Sequence, residues 1–137
     1  MYKFASILAL LLFSFILWVI YLANTGASSV FFNVVGSLPY GDKLGHFGLF
    51  GTLTFICVLA TKFSGLRIAN IPIYWGAIAV TVFALGEELS QAYMPTRTFD
   101  LVDASADLLG IAAACVCCYF ISTHLAKTKA APLPKGH

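Results

Sequence analysis

A chain of 137 residues that is 60% hydrophobic and only 10% charged, with a mean hydropathy of +0.89, is not an ordinary soluble domain, whose apolar share is nearer half. One small core cannot bury several long uncharged runs, so the bilayer is the expected solvent, and a net charge of +2 gives no reason to expect a nucleic-acid partner. The four cysteines, Cys57, Cys115, Cys117 and Cys118, sit inside apolar runs without a second ligand pair and read as small packing residues.

Phe4 to Ala23 holds no charge across 20 residues, which makes a helix of about 30 Å, the thickness of the hydrocarbon layer. The run is longer than the ~7–15 apolar residues of a signal peptide and no clean small-x-small site follows it, so it is expected to stay as an anchor. Residues 24–42 are rich in Gly, Ser and Pro but include the apolar Val30 to Val35, which predicts a segment lying in the membrane interface. A second helix is predicted over 44–61, followed by the short basic loop "KFSGLRIANIP". The third, over 71–89, opens on Tyr74 and Trp75, where an aromatic belt sits. A fourth is predicted over 101–122, and the basic, Pro-containing tail 126–137 is predicted to be disordered and cytoplasmic. The expected fold is all-α: a four-transmembrane-helix bundle over 1–125 with a polar cluster at the outer ends of helices 2, 3 and 4.

Four spans place both termini on one side, and basic residues choose which. Lys3, Lys62, Arg67, Lys127, Lys129 and Lys135 fall on the terminal side, against Lys43 and Arg97 on the other. The chain is therefore expected in the plasma (inner) membrane, multi-pass, with both termini cytoplasmic. All six acids, Asp42, Glu87, Glu88, Asp100, Asp103 and Asp107, then lie at the outer face.

Three helix ends bring polar groups to that face. Asp42 and His46 are four apart, Glu88 and Gln91 three apart, and Asp100, Asp103, Asp107 and Gly110 follow 3-4-3 spacing along one helical stripe. Asp107 lies about 9 Å inside its span, where a carboxylate must face the bundle and find partners. Arg97 and His46 are the expected partners. Asp42, Asp100 and Asp103 are also placed to cap helices, and Glu87 is expected to be solvated.

These residues resemble a known pattern. "DKLGHFGLFGTL" from Asp42 and "EELSQAYMPTRTFDLVDASADLLG" from Glu87 are similar to the VanZ-like family of small bacterial membrane proteins. The matching positions are Asp42, Lys43, His46, Phe47, Glu88, Gln91, Arg97, Asp103 and Gly110. Asp107 departs from the pattern, standing where that family usually carries Asn. The resemblance covers about Leu38 to Ala114 and implies a link to resistance against glycopeptide antibiotics, without a settled reaction or ligand.

Three functional classes stand open. The first is an enzyme or binding protein acting on a cell-envelope lipid or glycolipid. There, Glu88, Asp103 and Asp107 with His46 supply acid–base chemistry, while Lys43, Gln91 and Arg97 meet the substrate, the arginine through its planar fork for phosphate or carboxylate. The second is a divalent-cation protein, since one imidazole among several carboxylates suits Mg²⁺, Mn²⁺ or Ca²⁺ better than structural zinc. The third is a non-catalytic envelope or resistance factor whose polar network, with Asp42, Asp100 and Gly110 as capping or packing residues, locks the helix ends together.

Overall fold

The computed structural model describes residues 1–26, 30–95 and 97–130. In chain order it forms α1 (Tyr2–Asn24), α2 (Val30–Ser37), α3 (Gly41–Ala60), the strands β1 (Gly65–Ile68) and β2 (Ile71–Tyr74), α4 (Trp75–Gln91) and α5 (Leu101–Ala130). Among the described residues, α1, α3 and α5 are long and apolar enough to cross a membrane, which makes this a helical membrane protein. Helix α1 is mostly exposed: Ala5 and Ile16 are its fully buried residues, while Leu12, Phe13 and Ile20 pack partly against the core. Its remaining surface suits lipid.

Two predicted boundaries move by about a turn or more. The third helix starts at Trp75, because residues 71–74 form β2 and pair antiparallel with β1, Gly65 opposite Tyr74 and Ile68 opposite Ile71. Ala69 and Asn70, both with positive φ (49° and 66°), make the two-residue turn between the strands. Two left-handed residues match the right-handed twist of a tight hairpin. With 17 residues, α4 is only about 26 Å long, and three buried polar groups, Glu87, Glu88 and Gln91, occupy its last turns. Helix α5, at 30 residues, is about 45 Å long and continues through Ala126–Ala130, so that part of the expected disordered tail is helical; residues 131–137 lie outside the described residues. The apolar segment expected in the interface is the short helix α2, packed against α3.

The buried positions of α5, namely Asp103, Asp107, Gly110, Ile111, Ala114 and Cys118, step by three and four and form one stripe. It turns from carboxylate to small and apolar as it descends. Helix α4 does the reverse, from Gly76 and Ala77 down to Glu87, Glu88 and Gln91. The two run antiparallel, so both polar ends meet beside the start of α3. Between them sits the core, centred on Ile16, Phe50, Leu53, Val58, Val80, Ala84 and Ile111.

Helices α3 and α5 touch backbone to backbone. A Cβ on Gly110 would strike the Phe47 carbonyl oxygen, and one on Gly51 would come within 3.0 Å of the Gly110 carbonyl. Small residues permit such close approach of helices in a bilayer. Phe47 follows His46, and Gly110 lies one turn below Asp107, so this contact sets the distance between those two side chains. At the opposite end, Lys62 lies 5.3 Å from the centroid of the Tyr2 ring, which ties the start of α1 to the end of α3.

Candidate functional site

All the predicted site residues lie at the end of the molecule where α3 and α5 begin and α4 ends, but their pairing differs from expectation. Lys43, expected to meet substrate, is occupied by carboxylates: its Nζ lies 2.9 Å from Asp100 Oδ2, 3.4 Å from Asp42 Oδ2, and in direct contact with Asp103 Oδ1. It ties α3 to the first turn of α5. Asp100 does cap α5, accepting the Val102 N–H at 2.8 Å. The Lys43 hydrogen bond, and then this N–H, hold the Asp100 carboxyl below its ordinary range. Asp42 is no cap, because the residue preceding the first turn of α3 is Tyr40, in the left-handed region, with no side-chain capping bond. The carboxylate of Asp42 lies instead within that first turn, where the helix dipole favours it.

His46 stands between two pairs of acids. Its Nδ1 is 2.9 Å from Asp107 Oδ1 and 3.7 Å from Glu88 Oε1, while its Nε2 is 3.8 Å from Asp103 Oδ2 and 3.9 Å from Asp42 Oδ1. The ring stacks on Phe50, one turn further along α3, with centroids 6.2 Å apart. Glu88 and Asp107 are each only 1% exposed, and one oxygen of each, Glu88 Oε2 and Asp107 Oδ2, lacks a hydrogen-bond partner among the described residues.

Glu87 is the correction to the expected solvated carboxylate. It is buried, its two oxygens each accept from Gln91 Nε2 at 3.0 Å, and Arg97 Nη1 lies 4.0 Å away. Adjacent glutamates on a helix usually diverge, but here both turn inward. Gln91, also 1% exposed, is a support for Glu87 and, at 3.4 Å, for Glu88, rather than a group presented to a ligand. Arg97 reaches Glu87 and, at 3.5 Å, Asn24 Oδ1 at the end of α1, rather than Asp107, which pairs with His46. Asn24 is a member of the site that hydropathy alone does not reveal. Ser90 and Ser105 spend their hydroxyls on carbonyls of their own helices, at 2.6 and 2.7 Å.

Two adjoining cavities open beside this network. One, of about 90 Å³, has apolar walls from α1 (Ile16, Val19, Ile20), α2 (Phe32, Val35) and α3 (Leu49, Phe50), and a polar floor of Asp42, His46, Glu87 and Arg97. The other, of about 320 Å³, is polar and is lined by Gln91, Thr98, Asp100 and Asp103. They share Ala23, Phe32, Asp42 and Arg97. The result is a cleft that is apolar along one half and charged along the other.

Comparison with known proteins adds similarity without a function. No protein family matches the sequence, and no solved structure matches it. Over 74 residues the chain is 36% identical to an uncharacterized protein of Schizosaccharomyces pombe. That match takes in 53% of this chain and 43% of the yeast protein, so the chain spans less than half the length of that relative.

Proposed function

We propose that this chain is a VanZ-like multi-pass protein of the plasma membrane that binds an anionic envelope lipid or glycolipid in the cleft beside Arg97. In this reading α4, with β2 leading into it, is the fourth span of the bundle, both termini are cytoplasmic, and the polar end faces outward. The observation that carries it is the split character of the cleft, with Arg97 and Asp42 at the boundary between its apolar and polar halves. An amphiphile has the same division. Its headgroup fits the larger polar cavity, and the first carbons of its chain fit the smaller apolar one, which leads towards the lipid-facing α1.

Arg97 is the group that selects an oxyanion. Its two described partners are long contacts, which leave guanidinium N–H groups for a phosphate or carboxylate. Lys43, fully engaged by acids, holds the rim in shape.

The test is thermal unfolding of the protein in neutral detergent with added phosphatidylglycerol or phosphatidylcholine. Phosphatidylglycerol should stabilise the wild type, with phosphatidylcholine much weaker. Arg97→Ala should bind the anionic lipid about 10- to 100-fold more weakly, the loss expected of a hydrogen bond to a charged group. Equal stabilisation by the two lipids, unaltered in Arg97→Ala, would leave the polar network as a lock between helix ends and overturn the lipid reading.

A further inference from the structure

We infer that His46, Glu88 and Asp107 form a binding site for a divalent cation, buried between α3, α4 and α5. This site does not rest on lipid binding; it follows from how the three side chains and their neighbours divide their charges.

One donor atom from each of the three residues lies within 4.8 Å of the others. Metal–ligand bonds of 2.0–2.2 Å separate neighbouring donors by about 3 Å and opposite donors by about 4.3 Å. The 2.9 Å and 3.7 Å separations from His46 Nδ1 to Asp107 and Glu88 need only a small side-chain adjustment to meet that geometry. The orphaned oxygens, Glu88 Oε2 and Asp107 Oδ2, belong to side chains 1% exposed. Buried acceptors of this kind call for a positive charge or a donor.

Neither basic side chain at this end supplies it. Lys43 is directed to Asp42, Asp100 and Asp103, and Arg97 to Glu87 and Asn24. Among the described residues, beyond a remote 3.4 Å amide contact from Gln91 to Glu88, the inner carboxylates have His46 as their partner. The imidazole is itself oriented as a ligand would be. Nδ1 shares a proton with Asp107 at 2.9 Å; a cation takes the place of that proton, while Asp103 and Asp42, 3.8 and 3.9 Å from Nε2, face the proton on the other nitrogen. Metal-binding histidines are commonly held in this way, with a carboxylate on the far nitrogen. One nitrogen and several carboxylate oxygens suit a hard-to-borderline dication of the Mn²⁺ type.

The probe is Mn²⁺ itself, titrated into tag-free protein in detergent and followed by the loss of the aqueous Mn²⁺ electron paramagnetic resonance signal. The expected result is one saturable ion per chain, with nitrogen coupling from a single imidazole in the pulsed spectrum of the wild type. Glu88→Gln and Asp107→Asn, which keep the side-chain volumes, should each weaken binding at least tenfold, while His124→Ala at the far end of α5 should leave it unchanged. Competition with Mg²⁺, Ca²⁺ and Zn²⁺ then ranks the ions. No signal loss up to millimolar Mn²⁺, or a bound ion without nitrogen coupling, overturns the site even if a variant fails to fold. Undiminished binding in folded Asp107→Asn overturns it as well.

Discussion

Gly110→Ala should destabilise the bundle by about 1–3 kcal/mol or more, the range for forcing extra volume into a packed contact, while Gly48→Ala in α3 should stabilise it by up to about 1 kcal/mol. Both are helix-interior glycines, so propensity alone predicts a gain for each. They differ in what the new methyl meets. At Gly48 there is nothing within 4 Å, whereas at Gly110 it strikes the Phe47 carbonyl. A backbone oxygen cannot rotate away as a side chain can, so α3 and α5 must separate. Unfolding in mixed micelles, followed by circular dichroism, gives both values. A neutral or stabilising Gly110→Ala would show that the two helices are not in backbone contact, and the pairing of His46 with Asp107 would lose its structural basis.

His46→Ala should cost about 3–5 kcal/mol, the penalty for leaving an inner carboxylate buried without its partner. Asp107 has both oxygens in the bundle, and among the described residues only Oδ1 is bonded, to His46. In an Asp107→Asn background the same change should cost much less, because the group left behind is neutral. The difference between the two costs measures the pair directly. Measurement in a chelating buffer keeps any bound cation out of the comparison. Equal costs in the two backgrounds would mean that His46 is stabilised by packing on Phe50 rather than by Asp107.

Much of this architecture was legible because the bilayer imposes a simple rule: long uncharged runs become helices, and ionisable groups inside them face each other. The 3-4-3 spacing from Asp100 to Gly110 and the i, i+4 pair of Asp42 and His46 pointed to one polar end, and the side chains do lie there. What was hidden depended on tertiary partners. The hairpin was obscured because its turn, Ala69-Asn70, lacks glycine, and because Ile71 and Ile73 read equally well as the start of an apolar helix. The extension of α5 through 126–130 follows from the helix propensity of Ala and Lys, which the nearby prolines concealed. Glu87 looked solvated because neighbouring acids on a helix rarely turn the same way; only the position of Gln91 and Arg97 explains its burial. Likewise, two basic residues and six acids allow many pairings, and spacing alone does not reveal that Lys43 rather than Arg97 serves Asp103.

The proposed outward orientation of the cleft is tested most directly by single cysteines placed at its rim and at the far end of α5, in a background with Cys57, Cys115, Cys117 and Cys118 changed to alanine. Tyr40→Cys and Thr98→Cys should react with a membrane-impermeant thiol reagent in intact cells, while Ala130→Cys should react only after the membrane is opened. Labelling of Ala130→Cys in intact cells, with Tyr40→Cys and Thr98→Cys silent, would place the polar end in the cytoplasm and contradict a site for envelope lipids.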